Sequence, residues 1–123
     1  MEYIEQYLEE MKQITEQIDK KEIKKIVDMI YEIREKKGRI FFIGAGGGAG
    51  NATHAVNDFR KIAGIESYTP TDNVSELTAR TNDDGWESVF VEYLKTSKLN
   101  QNDMVFVFSV GGGTRKKTLV LIL

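Results

Sequence analysis

The chain has 123 residues, no cysteine and a formal net charge of −2, so it has room for at most one small domain. The lack of cysteine excludes disulfides and thiolate metal sites, and the small net charge gives no electrostatic reason to expect nucleic acid or an anionic membrane as partner. No apolar run reaches membrane-spanning length and the acidic amino terminus does not resemble a signal peptide, so we expect a cytoplasmic protein.

Residues 1–37 predict two amphipathic helices. Asp19 followed by Glu22 resembles the capping box that starts a helix, and Lys36, Lys37 and Gly38 form a cationic last turn and a stop. One small sheet cannot cover two apolar stripes, so we predict that these helices pack on the sheet and on another subunit. The stripes consist of Ile4, Tyr7, Leu8, Met11, Ile14 and Ile18, and of Ile23, Ile26, Val27, Ile30 and Ile33.

A glycine-rich turn follows the first predicted strand. Residues 40–43 are apolar and suit a strand buried on both faces, most residues from Gly44 to Gly50 are glycine, and a helix is predicted from about Ala49. The backbone N–H groups at such a turn converge at the positive end of the helix dipole. We therefore predict an anion site, most simply for phosphate, over Gly46, Gly47 and Gly48.

The spacing of these glycines disfavours a nucleotide cofactor. It does not match the dinucleotide-binding G-x-G-x-x-G pattern, and no Lys-Ser/Thr closes the turn as in a P-loop. A turn whose glycines only permit close packing stays an alternative.

The rest of the chain predicts alternating strands and helices. We expect a short strand at 65–69, a polar segment at 71–84 with at most one helical turn, a helix at 85–96 and a buried strand at 104–109. Two strands that each end in glycines, joined through helices, are typical of a doubly wound parallel α/β sheet that binds its ligand at the carboxyl edge.

Polar side chains after the glycine turn are candidates for catalysis. His54 and Asp58 lie one helical turn apart and share a face with Asn51, so the carboxylate could act as a general base. The alternative is a partly buried histidine whose charge Asp58 balances. Asn82 and Asp83 are either substrate contacts or a polar turn that caps the next helix, with Asp84 as the cap.

The order of these motifs resembles the sugar isomerase (SIS) domain family, and within it the phosphoheptose isomerase branch. The similar segments read G-A-G-G-G-A-G-N-A-T-H-A-V-N-D, T-N-D-D-G-W-E-S-V-F and N-D-M-V-F-V-F-S-V-G-G-G, and cover about residues 23–113. The resemblance implies a three-layer αβα sandwich with a parallel, flavodoxin-like sheet. It also implies a homo-oligomer, a tetramer or dimer, with a phosphorylated sugar bound between subunits.

The resemblance assigns substrate contacts to the first turn and to the Asn-Asp motif. Ala45, Gly46 and Gly47 fall where the family has Asn-Gly-Gly, and Asn82 and Asp83 match its Asn-Asp pair. Ala45 therefore lacks the amide that the family places there.

The resemblance assigns a phosphate turn to the end of the last strand. Ser109 matches its first serine, Val110 and Gly111 replace the next two hydroxyl residues, and Thr114 occupies the last position. Fewer hydroxyl donors remain, although the backbone N–H groups are unchanged.

The resemblance also implies a zinc site and a catalytic base. His54 matches a metal-binding histidine, and Asp58 replaces a glutamate that binds zinc and acts as base. His54 is the only histidine of the chain, so one copy cannot complete the family's metal site.

The end of the chain departs from the family, which makes residues 38–123 only the N-terminal part of a SIS domain. We consider two explanations: a one-base shift of the coding sequence after Gly112 or Gly113, or a natural short chain in which residues 118–123 form an added strand. Two functions follow: an isomerase of sedoheptulose 7-phosphate or a similar sugar, or a non-catalytic SIS module that binds a sugar phosphate and acts as an oligomeric regulator.

Overall fold

The computed structural model describes residues 1–112 and divides the chain into two compact units, Met1–Tyr31 and a second one that starts at Glu32. The predictions for Gly113, Thr114 and residues 118–123 lie outside the described residues.

Two helices begin the chain, as predicted. Helix α1 spans Glu2–Gln17 and helix α2 spans Lys20–Glu35. Asp19 separates them, because its Oδ1 accepts hydrogen bonds from the backbone N–H groups of Lys21 (2.8 Å) and Glu22 (3.3 Å). Helix α1 buries none of its residues. Within residues 1–112, no helix combines the length and the apolar character that crossing a membrane requires.

A three-stranded parallel sheet forms the centre of the second unit, with strand order β2-β1-β3. Strand β1 is buried along its whole length, which explains its continuous apolar sequence. The elements of this unit after α2 are β1 Ile40–Gly44, α3 Gly47–Lys61, β2 Ser67–Tyr68, α4 Val74–Asp84, α5 Ser88–Thr96 and β3 Met104–Phe108.

Helices cover both faces of this sheet, which confirms the predicted layered α/β fold. Because side chains alternate along a strand, Phe42 points to one face and Phe41 and Ile43 to the other. The ring of Phe42 contacts that of Phe59 on α3, with centroids 4.9 Å apart. The opposite face packs against α5 through Val89, Phe90 and Leu94.

Several predicted boundaries are wrong. Helix α3 starts at Gly47 rather than near Ala49, so most of the glycines lie inside its first turn. Strand β2 has only two residues, and β3 ends at Phe108 and is only partly buried. Its burial is partial because, among the described strands, only β1 pairs with it.

The polar segment at 71–84 is the largest correction. Residues Val74–Asp84 form a full helix, α4. Asn73 caps its start, because the Asn73 side chain accepts a hydrogen bond from the backbone N–H of Glu76 at 3.2 Å. The segment has residues that favour a helix but no clear apolar stripe, so its periodicity did not indicate the helix. The predicted polar turn is therefore wrong, and Asp84 does not cap the next helix, which begins at Ser88.

An ion pair fixes the amino edge of the sheet. The Arg39 side chain binds Asp103 twice, through Nη2–Oδ2 (2.6 Å) and Nε–Oδ1 (3.1 Å). The Asp103 side chain is only 2% exposed. Burial raises the pKa of Asp103, but hydrogen bonds from Arg39 and from the backbone of Asn100 and Arg39 outweigh it, so the pKa lies below its usual value.

The glycines after β1 have two separate roles. A Cβ at Gly44 would lie 2.3 Å from the backbone of Gly48, so only glycine fits there. A Cβ at Gly46, Gly47 or Gly50 would meet no atom within 4 Å. Close packing thus explains Gly44 but leaves these three glycines without a packing reason.

Replacing Asp103 by Asn should lower the free energy of unfolding by about 1.5–3 kcal/mol at neutral pH, because the hydrogen bonds to a charged partner are lost. The folded pKa lies below the unfolded one, so this stabilisation is complete above about pH 4 and is lost as the pH falls through the folded pKa. Urea unfolding of both proteins at several pH values measures the difference. Asp28→Asn, in an exposed pair with Lys24, is the control and should change stability little at any pH. A difference that does not shrink in acid contradicts the assignment.

Gly44→Ala and Gly50→Ala should change stability in opposite directions. Alanine at position 44 collides with backbone and should cost about 1–3 kcal/mol. Alanine at position 50, inside α3 and facing open space, should stabilise by about 0.5–1 kcal/mol through its higher helix propensity. Thermal unfolding measures both, and equal effects would show that the two positions have the same role.

Candidate functional site

The two glycine-rich turns lie side by side at the carboxyl edge of the sheet. Strands β1 and β3 pair in parallel, with Gly44 opposite Phe108 as the last pair of the register. A Cβ at Gly48 would lie 3.0 Å from the carbonyl oxygen of Phe108. The turn after β1 therefore touches the end of β3, as a shared site at this edge requires.

The first turn presents backbone donors to open space. Gly46, with φ 56°, precedes α3, and its carbonyl accepts the N–H groups of Ala49 (3.0 Å) and Gly50 (3.3 Å). The N–H groups of Gly46 and Gly47 donate to no atom of the described residues. The first turn of α3 carries no acidic side chain, so the positive end of its dipole is uncompensated. This arrangement suits an anion.

The second turn adds few side-chain donors. Ser109, Val110 and Gly111 are all exposed, and Ser109 supplies the hydroxyl. Val110 is fully solvent-exposed and contributes no polar atom. Thr114, the other predicted hydroxyl, lies outside the described residues.

His54 and Asp58 form a solvent-facing pair on α3. His54 Nε2 lies 3.1 Å from Asp58 Oδ2, and the side chains are 77% and 42% exposed. Asn57 Nδ2 donates to the other oxygen, Oδ1, at 3.0 Å. The alternative of a partly buried histidine is wrong in its burial, although the i,i+4 contact with Asp58 that it included is present. Asn51 is also exposed on this helix.

The zinc implied by the family resemblance does not fit the described donor set. His54 and Asp58 could supply two ligands, whereas a catalytic zinc site takes three from protein. Within residues 1–112 no third His, Cys, Asp or Glu joins them in a metal-binding group.

Asn82 and Asp83 lie in the last turn of α4, both exposed. Asn82 Nδ2 donates to Asp83 Oδ1 at 2.7 Å. In the described part of the chain no hydrogen bond joins this pair to either glycine turn or to His54.

A cleft beside β2 contains residues that the sequence did not single out. Its volume is about 440 Å³, and its lining includes Arg60, Tyr68, Asp72 and Tyr93. The Arg60 guanidinium lies over the Tyr68 ring, 5.4 Å from its centroid. Burial, with a smaller effect of nearby carboxylates, raises the pKa of Tyr93. These residues come from three separate parts of the chain, so spacing could not reveal them. The position of Asp72 just after a strand was the one available signal.

Comparison with known proteins agrees with the resemblance. A family model described as SIS domain matches residues 2–117. Phosphoheptose isomerases from two strains of Helicobacter pylori, ATCC 700392 / 26695 and P12, are each 28% identical over 98 residues. The structure of phosphoheptose isomerase GmhA from Neisseria gonorrhoeae superposes with a TM-score of 0.77 at 23% identity, which shows a common fold.

These matches cover most of this chain but only part of each relative. The aligned region is 76% of this chain and 50% of each Helicobacter protein, and 88% of this chain and 60% of the Neisseria structure. The chain thus spans about half the length of the curated relatives it matches. Because the SIS domain model matches nearly the whole chain, the protein belongs to the SIS domain family.

Proposed function

We propose that this protein is an aldose–ketose isomerase of a phosphorylated sugar, with sedoheptulose 7-phosphate as the leading candidate substrate. The observation that carries the proposal is the register of β1 and β3, which brings both glycine turns together at the edge where α3 begins. Similarity to phosphoheptose isomerases of Helicobacter pylori supports the same reaction class.

The proposed reaction needs groups that bind the phosphate and a general base that transfers the proton. The unpaired N–H groups of Gly46 and Gly47 hold the phosphate, assisted by Ser109. Asp58 takes the proton from the carbon next to the carbonyl, and the electron pair of that C–H bond forms an enediolate. The proton then returns to the former carbonyl carbon, and the hydroxyl proton of the neighbouring carbon passes to the other oxygen, so that the carbonyl moves by one position. His54 orients the Asp58 carboxylate.

Asp58 lies far from the phosphate turn of its own copy. From the start of the helix at Gly47, His54 lies roughly 10 Å and Asp58 roughly 16 Å along the axis, at 1.5 Å per residue. Even an extended heptose 7-phosphate is shorter than the span from this turn to Asp58. In the proposed reaction the Asp58 of one copy therefore acts on a sugar whose phosphate is held by another copy.

The second candidate is a sugar-phosphate-binding SIS module without catalysis. Two observations favour it: Ala45 and Val110 offer no polar side chain at the site, and the described residues give His54 and Asp58 no third metal ligand. Binding of sedoheptulose 7-phosphate by the protein at its native length, without any conversion, would select this function over the isomerase.

We also propose that copies of the chain associate through α1. Its apolar stripe is solvent-exposed, with Ile4 at 57%, Leu8 at 61% and Ile14 at 59%. An apolar stripe on a helix that buries none of its own residues needs a partner, and a second copy supplies a self-complementary one.

Asp58→Asn should reduce kcat by at least about a hundredfold, because the amide cannot accept the proton. Binding of sedoheptulose 7-phosphate should persist, and stability should change by less than about 1 kcal/mol because the pair is exposed. A coupled assay and calorimetry measure turnover and binding. Asp84→Asn, an exposed carboxylate on α4, is the control and should behave as the parent protein. Retained turnover in the position-58 variant would remove Asp58 from the role of base.

Met11→Lys should dissociate the oligomer, because it places a charge in the apolar stripe of α1, where Met11 is 47% exposed. Glu16→Lys changes the opposite side of the same helix and is the matched control. Sedimentation velocity should show a smaller species for the first variant only. A parent protein that sediments as a monomer would contradict the proposal.

A further inference from the structure

The start of α5 lies at the same sheet edge as the two glycine turns. At the other end of this helix, the carbonyls of Ser97 and Lys98 accept hydrogen bonds from Arg39 Nη1 (3.1 Å) and Nη2 (3.2 Å). Arg39 directly precedes β1, so the C-terminal end of α5 is level with the beginning of that strand. Helix α5 therefore runs antiparallel to β1.

Trp86 is level with the end of β1. The ring of Tyr93 on α5 is 6.4 Å from that of Phe41 on β1, which aligns these two positions. Seven helical residues from Tyr93 back to Trp86 rise roughly 10 Å, and three strand residues from Phe41 to Gly44 also rise roughly 10 Å. The N–H of Val89 donates to the Trp86 carbonyl at 3.2 Å, so Trp86 continues the first turn of α5.

Nearly half of the surface of Trp86 faces solvent. Its ring packs edge-on against Phe90, with centroids 5.5 Å apart, yet 46% of Trp86 stays exposed while Phe90 is 2% exposed. Trp86 thus covers Phe90 with one edge and leaves the rest of its ring in solvent. The indole N–H donates to no atom of the described residues, so both a ring face and a donor are available.

The neighbouring side chains suit a polyol. Asn82 and Asp83 end helix α4, and one glycine, with φ 85° at Gly85, separates α4 from Trp86. An amide, a carboxylate and an exposed indole together offer hydrogen bonds for hydroxyl groups and an apolar face for C–H groups. Phosphate alone has no use for the apolar face.

We propose that Trp86 binds the sugar portion of the ligand by stacking its exposed indole against the carbon chain, while the glycine turns hold the phosphate. This inference rests on the proposed function, because it assumes that a phosphorylated sugar occupies the carboxyl edge. Trp86 then separates sugar phosphates from inorganic phosphate, which the backbone N–H groups cannot do.

Trp86 is the only tryptophan of the chain, so intrinsic fluorescence reports on this position alone. Sedoheptulose 7-phosphate should change the emission of the intact protein, whereas inorganic phosphate should bind with little change. By calorimetry, Trp86→Leu, which keeps an apolar contact for Phe90, should weaken sedoheptulose 7-phosphate binding by about tenfold. The same variant should leave inorganic phosphate affinity within about twofold, and Trp86→Phe, which keeps a ring, should bind the sugar within about threefold.

The outcomes separate this inference from the proposed function. Suppose that calorimetry shows binding of sedoheptulose 7-phosphate, but the ligand does not change the emission of the parent protein and the Trp86→Leu variant binds it as tightly as the parent does. The role of Trp86 is then refuted and the proposed function stands. If the leucine variant weakens inorganic phosphate and sugar phosphate equally, Trp86 acts through the fold and the stacking proposal is refuted. If no sugar phosphate binds the parent protein, both proposals fall.

Discussion

The parallel pairing of β1 with β3 is the interaction on which the candidate site depends. It aligns five residues of each strand and ends with Gly44 opposite Phe108, so both strands end at the same level of the sheet. The connection between them passes through α3, β2, α4 and α5, and parallel strands can be joined only by such a crossover. Gly44 and Phe108, which are distant in the chain, thereby become neighbours at the carboxyl edge.

Glycine is required at the carboxyl edge of the sheet for two different physical reasons. At Gly44 the backbone of the next turn is too close for any side chain, so the requirement is steric. At Gly46 and Gly47 the missing side chains leave main-chain donors open to solvent, so the requirement concerns access. A site that grips an anion through the main chain needs few side-chain donors, which makes the replacements Ala45 and Val110 compatible with phosphate binding.

Two side-chain pairs of the second unit have different consequences. The Asp103 carboxylate is buried and held by several donors, so its pair with Arg39 stabilises the junction of β1 and β3. The His54–Asp58 pair is open to water, where such a contact contributes little to folding. The first pair therefore contributes to stability, whereas the second is accessible to a ligand.

The sequence by itself determined the two N-terminal helices, strand β1, the order of the elements other than α4, and the glycine turns, because each is a local pattern of periodicity, capping or backbone freedom. Helix α4 escaped prediction because its polar sequence buries no residue and leaves little periodicity. Only the tertiary structure decided which glycine positions have no room for a side chain, that His54 is exposed and that Trp86 lies level with the glycine turns. Those properties depend on atoms contributed by distant segments, and no local spacing encodes them.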